Sequence, residues 1–196
     1  SNGIVWATRL GGEQDTIPWC MSTDGNGGAF VAGSFTDQGC TIGSTSLQSS
    51  GNFDAFFAHV GGDGSIDWAA SGGGSGRDEA RGIAPDGRGG ALATGYFSNT
   101  ATFGSSTFSS AGGYDVFAVR LNPTGSIDWA AADAVGSGYS RSTSIAYADG
   151  HVYIGGHFNQ NAVFSTSTTF DSDSSSLDAF IMRRELPPPS PSPPPP

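Results

Sequence analysis

The chain of 196 residues carries 18 acidic and 8 basic side chains, so its formal net charge at pH 7 is −10. Such a surface repels nucleic-acid phosphates and anionic lipids, and neither is expected as a partner. With 31 glycines and only 13% charged residues, the composition favours many short strands joined by turns over helices. No apolar run is long enough to cross a bilayer, so membrane insertion is not expected either.

An internal repeat organises the sequence. One tryptophan, one phenylalanine and two aspartate positions recur at spacings of 61 to 63 residues. These positions are Trp6, Trp68 and Trp129; Phe35, Phe97 and Phe158; Asp24, Asp86 and Asp149; and Asp54, Asp115 and Asp178. They predict repeat units at about 13–74, 75–136 and 137–186, the last one completed by residues 1–12, and a separate tail at 187–196.

The amino-terminal segment Gly3–Gly12 (GIVWATRLGG) matches the end of the middle unit, Ser126–Ala131 (SIDWAA). It predicts a strand with no unit before it, whereas the third unit stops at Leu186 without such a strand. Because an unpaired sheet edge is costly, we expect this strand to complete the last unit, either of its own chain or of a neighbouring chain. No basic and apolar leader precedes it, so the sequence is expected to begin after processing.

The middle unit shows its strand pattern most clearly. Short apolar or alternating segments, separated by turns rich in Gly, Asn, Asp and Pro, predict four or five strands and no helix. The predicted strand segments are Arg81–Asp86, Gly90–Phe97, Ala101–Ser110, Asp115–Leu121 and Ser126–Ala131.

The run Gly72–Gly104, followed by Gly112–Ala130, resembles the SBBP-type β-propeller repeat, and the other two units match it more loosely at Thr16–Phe35 and Thr143–Phe158. The resemblance implies an all-β fold of three tandem, blade-like repeats of antiparallel strands, and it implies no single activity. Propellers typically have about four to eight blades. Three arrangements are therefore open: a compact three-bladed ring, a ring shared by several chains, or strand exchange along a fibre.

The only two cysteines, Cys20 and Cys40, both lie in the first unit, at positions where the other units have no cysteine. Two exceptional residues in one unit predict a Cys20–Cys40 disulfide, with two buried free thiols as the alternative. Closing this loop would stabilise the fold by roughly 3 kcal/mol. A disulfide also implies an oxidising, extracellular setting.

The tail PPPSPSPPPP holds eight of the 11 prolines and predicts a polyproline II rod. Its Ser-Pro pattern resembles the hydroxyproline-rich glycoproteins of algal and plant cell walls, and this resemblance implies hydroxylated prolines and O-linked sugars. An unmodified linker is the alternative. The candidate modification positions are Pro187, Pro188, Pro189, Ser190, Pro191, Ser192, Pro193, Pro194, Pro195 and Pro196.

Patterns that would indicate catalysis or metal binding are weak. His59, His151 and His157 lack the Cys or carboxylate spacing of a metal site. The repeated aspartates are predicted to accept backbone hydrogen bonds in turns, with Ca²⁺ binding as the alternative, and no cofactor is expected. The repeated tryptophans are predicted to be core residues. Three tyrosines are open between a core position and stacking on sugar rings: Tyr96, Tyr114 and Tyr139.

Together these features predict a secreted, non-enzymatic structural glycoprotein that self-associates into a surface fibre or extracellular matrix. The alternative is a glycan-binding, lectin-like propeller module tethered by a proline-rich stalk.

Overall fold

The computed structural model describes residues 3–12, 14–36, 38–164 and 168–186. Strands make up 63% of it, in antiparallel sheets, which confirms the prediction of an all-β fold. The described residues contain no helix, and hence none that could cross a membrane. They do not form a closed propeller. The predicted polyproline II tail at 187–196 lies outside the described residues.

Three units with the same strand order follow one another along the chain. In each unit two long strands form a hairpin, a short hairpin follows, and a third long strand pairs with the second. Within the ranges given above, a fourth long strand completes units 1 and 2 but not unit 3. Unit 1 consists of β1 (Thr16–Thr23), β2 (Ala29–Thr36), β3 (Cys40–Ile42), β4 (Thr45–Leu47), β5 (Phe53–Val60) and β6 (Ile66–Gly74). Unit 2 consists of β7 (Glu79–Pro85), β8 (Ala91–Phe97), β9 (Thr100–Phe103), β10 (Ser106–Ser109), β11 (Asp115–Leu121) and β12 (Ile127–Asp133). Unit 3 consists of β13 (Ser140–Ala148), β14 (His151–Phe158), β15 (Asn161–Phe164), β16 (Thr168–Asp171) and β17 (Asp178–Glu185).

Most predicted strands of the middle unit are confirmed, and β11 has the predicted bounds. The segment predicted as one strand, Ala101–Ser110, instead lies mostly in the hairpin of β9 and β10. Gly104 has a φ of +61°, a left-handed conformation that favours glycine, and it turns the chain between these two strands.

The long strands of the three units form three main sheets that stack face to face, and β6 of unit 1 also pairs with β9 of unit 2. A hydrophobic layer fills each gap between neighbouring units. The layer between units 1 and 2 includes Phe30, Ala32, Ala55, Phe57, Ile83, Ala93, Phe97, Phe117, Val119 and Leu121. The layer between units 2 and 3 includes Leu92, Val116, Ala118, Val152, Ile154, Phe158 and Phe180. A third cluster covers the face of unit 1 that points away from unit 2, and includes Val31, Phe35, Cys40, Ile42, Leu47, Phe56, Ala58 and Val60.

The third unit differs from the others in the exposure of its last strand. Strand β11 is buried along its whole length, and β5 nearly so, whereas five of the eight residues of β17 are exposed. Ile181 is 78% exposed, although Phe57 and Ala118 occupy the same repeat position and are buried. Strand β17 pairs with β14 on one edge, and no described residue forms a ladder with its other edge.

The amino-terminal segment Gly3–Gly12 does not form the predicted strand. It runs along the outward face of unit 1, where Trp6 and Leu10 pack against the hydrophobic cluster and the hydroxyl of Thr8 donates a hydrogen bond to the carbonyl of Gly64. Within the described residues it is not paired with β17. The predicted completion of the last unit by its own chain is therefore not formed.

Candidate functional site

All three units carry the same β-bulge in their first strand. A bulge places an extra residue in a strand and redirects its side chain. The pairing slips between Pro18 and Cys20, between Ala80 and Gly82, and between Ser142 and Ser144. The bulged residues are Trp19, Arg81 and Thr143, one from each unit. The repeat therefore presents three different side chains at one equivalent position on successive sheets.

The three tyrosines that the sequence left open come together beside this row of bulges. The ring centroids of Tyr96 and Tyr114 are 4.9 Å apart, and those of Tyr114 and Tyr139 are 5.4 Å apart. Tyr96 is buried, whereas Tyr139 is 46% exposed. The cluster thus runs from the core to solvent at the boundary between units 2 and 3. Within this cluster, Tyr96 has the expected core position and Tyr139 has the expected exposure to solvent.

Arg141 lies against this cluster. Its guanidinium carbon is 4.4 Å from the ring centroid of Tyr114, 4.9 Å from that of Tyr96 and 5.8 Å from that of Tyr139. Its Nε is buried and has no hydrogen-bond partner in the described part of the chain. No carboxylate of the described residues forms a salt bridge with Arg141 either; the ion pairs of the chain involve other side chains.

A cleft of about 160 Å³ opens at this cluster. Burial, together with the nearby charge of Arg141, lowers the pKa of His157, so its imidazole is neutral at pH 7 and can both donate and accept a hydrogen bond. The cleft therefore combines cationic, aromatic and neutral polar groups. Its lining residues are Arg81, Tyr96, Arg141, Ser142, Thr143 and His157.

The equivalent place between units 1 and 2 has a different charge balance. There Phe53 and Arg77 stand where units 2 and 3 have Tyr114 and Tyr139, and Glu79 stands where unit 3 has Arg141. Glu79 is buried and accepts hydrogen bonds from both Arg77 and Arg81. At this boundary Glu79 is paired with two arginines, whereas Arg141 at the next boundary has no carboxylate partner among the described residues. The repeat alignment shows this change of charge, from Glu79 in unit 2 to Arg141 in unit 3. It is the feature from which Arg141 could have been identified in the sequence.

A second candidate surface lies on the outward face of unit 1. A groove of about 460 Å³ separates the amino-terminal segment from β1 and β2. Two of its lining side chains are exposed although apolar or aromatic, Met21 at 66% and Trp19 at 40%. The remaining lining residues are Trp6, Thr8, Leu10, Pro18, Cys20, Ala29, Val31 and Val60.

The predicted disulfide is absent, and both cysteines are free thiols. Cys20 pairs across the sheet with Ala32 and packs into the layer between units 1 and 2, while Cys40 belongs to the cluster on the opposite face of unit 1. The two thiols therefore belong to different hydrophobic clusters. Burial raises the pKa of the Cys20 thiol to about 12, which keeps it protonated and unreactive.

Four of the six repeated aspartates accept backbone hydrogen bonds as predicted, whereas the side chains of Asp149 and Asp178 in unit 3 form none with the described residues. Asp24 and Asp86 each accept two backbone hydrogen bonds in their turns, and Asp115 accepts backbone hydrogen bonds from Ala111 and Gly136. His59 lies between Asp24 and Asp67, at 3.1 Å and 2.8 Å. Among the residues that the structure describes, no group of three or more His, Cys, Asp or Glu could hold a metal ion.

Comparison of the chain with models of known protein families gives no match, and comparison with curated proteins gives none either.

Proposed function

We propose that this chain is a structural subunit of an extracellular fibre or matrix, in which blade-like units of successive copies join head to tail. One observation carries the proposal. The amino-terminal segment occupies, on unit 1, the place that the last strand of a preceding unit occupies on its successor, while the described part of unit 3 contains no such strand. The two ends of the molecule are thus complementary.

The packing of Trp6 supports this equivalence. Inside the chain, Trp68 of β6 covers Gly125 in the turn of the next unit, so that a Cβ at Gly125 would lie 2.6 Å from the indole. Trp6 covers Gly64 in the same way, with a corresponding distance of 2.9 Å to its Cβ. Both glycines have a φ of +84°. The segment therefore sits on unit 1 as β6 sits on unit 2.

The burial of side chains along the segment also alternates from residue to residue, as in a β-strand, although no described strand pairs with it. Trp6, Thr8 and Leu10 are partly buried, while the residues between them are exposed. Ile4 is 88% exposed, although Ile66 and Ile127 at its repeat position pack on their own unit's hairpin turn. No described residue gives Ile4 the hairpin turn on which Ile66 and Ile127 pack.

The groove on unit 1 supports the proposal that a second copy of the chain binds there. Between units 1 and 2 the equivalent space is filled by Phe30 and Phe57. The matching residues of unit 3 are Tyr153 and Ile181, and Ile181 is exposed. Unit 3 of a neighbouring chain would fill the groove with these two side chains. The contact would repeat an interface that the chain already makes twice.

The pairing of β5 with β6 fixes the expected register between chains. His59 pairs with Trp68 and Ala58 with Ala69. By the repeat alignment, β17 of one copy would pair Arg183 with Trp6, Met182 with Ala7 and Ile181 with Thr8 of the next copy. Such a contact joins two different surfaces of the same chain, and it forms an open fibre unless the rotation between copies closes a ring.

The extracellular and glycoprotein parts of the proposal rest on the sequence. The tail from Pro187 to Pro196 resembles wall glycoproteins, and the acidic, lysine-free surface is compatible with a secreted protein. Two free thiols give this location no support.

Cross-linking tests the register. In a Cys20→Ala, Cys40→Ala background, Ala7→Cys and Met182→Cys would face each other across neighbouring strands, about 4.5–5.5 Å apart at Cα, within reach of a disulfide. We expect oxidation of the double variant to give a ladder of covalent oligomers. A mixture of the two single variants should give dimers only.

The matched control replaces Met182→Cys by Ile181→Cys. Neighbouring residues of a strand point to opposite faces, so this pair should not cross-link. Cross-linked product of monomer mass would mean closure within one chain, and absence of cross-links at high concentration would mean that the strand is not exchanged. Either result would overturn the proposal. Electron microscopy of the oligomers distinguishes an open fibre from a closed ring.

A further inference from the structure

We infer that the cleft at Arg141 binds an anionic sugar chain, with a carboxylate or sulfate group on the guanidinium and a sugar ring against Tyr139. This inference is independent of the association of chains, because every residue of the cleft comes from units 2 and 3 of one molecule.

The charge of Arg141 is the first reason. The chain carries ten more acidic than basic groups, yet this arginine has no acidic partner among the residues described. Three tyrosine rings hold the guanidinium in place, so little side-chain entropy is lost when it meets a ligand. A buried Nε without a partner is a donor for which an anionic oxygen is the strongest acceptor.

The aromatic surface is the second reason. Tyr139 is 46% exposed and its ring centroid lies 5.8 Å from the guanidinium carbon of Arg141, and Trp19 on the row of bulges is 40% exposed. The guanidinium of Arg81 lies 3.7 Å from the Trp19 ring centroid and orients it. Aromatic faces with an apolar body and polar groups nearby suit the alternating apolar and hydroxyl faces of a sugar ring.

Neutral polar groups complete the cleft. Thr143 is exposed on its bulge, and His157 carries a neutral ring at pH 7 that can bond to a hydroxyl. A ligand made of hydroxyls and one anionic group would use all of these. A proline-rich segment such as the tail of the chain would use the aromatic rings but would leave Arg141 without a counter-charge, so an anionic sugar is favoured.

The overall charge makes the site selective. A net charge of −10 repels anions over long distances, so binding must come from local contacts in the cleft. Diffuse attraction of polyanions to the surface is therefore not expected.

Calorimetric titration of the full chain tests the inference. The probes are an oligogalacturonate, which carries carboxylates, a sulfated dextran oligosaccharide, and the unsulfated dextran of the same length. We expect at least one anionic probe to bind, and its identity tells whether the group is a carboxylate or a sulfate. The neutral dextran should not bind measurably.

Variants locate the binding. Arg141→Gln should weaken it at least tenfold, and Tyr139→Ala should weaken it with little effect on folding because this side chain is exposed. Arg88→Gln removes the same charge from an exposed turn and should leave the affinity unchanged. Circular dichroism of each variant checks the fold.

Three outcomes would overturn the inference: no binding of either anionic probe, equal losses in Arg141→Gln and Arg88→Gln, or binding only of a peptide with the tail sequence PPPSPSPPPP. The last outcome would assign the cleft to proline-rich chains instead.

Discussion

Asp54 and Asp78 form a buried acidic pair at the boundary of units 1 and 2. Asp78 is fully buried and accepts backbone hydrogen bonds from Gly74 and Ser98, while Oδ1 of Asp54 is buried without a partner. Burial, reinforced by the neighbouring Asp54, raises the pKa of Asp78 from 3.8 to about 7. Between about pH 4 and pH 7, Asp78 therefore keeps a proton in the folded state that the same carboxyl group has released in the unfolded chain.

This proton makes stability depend on pH. Between about pH 4 and pH 7 the folded state binds more protons than the unfolded state, so the free energy of unfolding should fall as pH rises through this range and level off above it. The contribution of this one proton to the slope should approach about 1.4 kcal/mol per pH unit at most. Urea denaturation at a series of pH values measures it.

Asp78→Asn should reduce this slope. A smaller slope of the same sign should remain, because burial also raises the pKa of Asp115. Asp171→Asn, in the exposed strand β16, serves as the control and should leave the slope intact. An Asp78→Asn protein with the full slope would contradict the assignment.

The repeat alone could not predict this pair. Asp54 is a repeat marker, but Asp78 corresponds to Thr16 and Ser140 in the other units, so no pattern in the sequence singles it out. The turn aspartates were predictable because Asp before Gly has a local reason, a side chain that accepts nearby backbone hydrogen bonds. Arg141 and its tyrosines depend instead on the stacking of two sheets.

At the scale of elements, the turn glycines beneath the tryptophans connect one unit to the next. Gly125→Ala should destabilise the fold through two effects: about 1–2 kcal/mol for a left-handed alanine, and about 1–3 kcal/mol for overpacking against Trp68. Gly150→Ala is the matched control, since Gly150 has a φ of +80° and nothing within 4 Å of an added Cβ. Chemical denaturation should show the larger loss in Gly125→Ala, and equal losses would contradict the packing.

Gly64→Ala separates folding from association. It should cost the folded chain about as much as Gly150→Ala, because Trp6 belongs to a segment that can move away. It should also weaken the association of chains, since a Cβ at Gly64 would clash with Trp6 and displace the amino-terminal segment from unit 1.

Local pattern predicted most long strands of the middle unit, because alternation and turn residues act within a few positions. It did not resolve the hairpin of β9 and β10, whose turn depends on the left-handed Gly104. It favoured a Cys20–Cys40 disulfide over the two free thiols that the structure shows. Their closeness in sequence says nothing about the different hydrophobic clusters to which they belong.

At the scale of the whole molecule, the strand pattern of Gly3–Gly12 does not specify the strand with which this segment would pair. The sequence predicted both the missing strand and its two destinations, in its own chain or in a neighbour. The choice depends on how far the stack of three sheets curves, which no local pattern encodes.

Salt should strengthen the association of copies. Each chain carries a net charge of −10, so two copies repel each other, and the proposed contact uses apolar side chains and backbone hydrogen bonds. Raising the ionic strength screens the repulsion. Sedimentation velocity at low and physiological salt should show larger species at higher salt. Weaker association at higher salt would indicate ion pairing in place of the proposed contact.

The bulge that recurs in every unit has a consequence for assembled chains. A head-to-tail assembly would repeat Trp19, Arg81 and Thr143 in register from copy to copy, with one Arg141 cleft in each. A long anionic polysaccharide could then engage many clefts, each after the first at a high effective concentration. A single chain would bind a short oligosaccharide weakly, whereas the assembly would bind a long polymer tightly. The affinity of the assembly for a polysaccharide would therefore increase with the length of the polysaccharide.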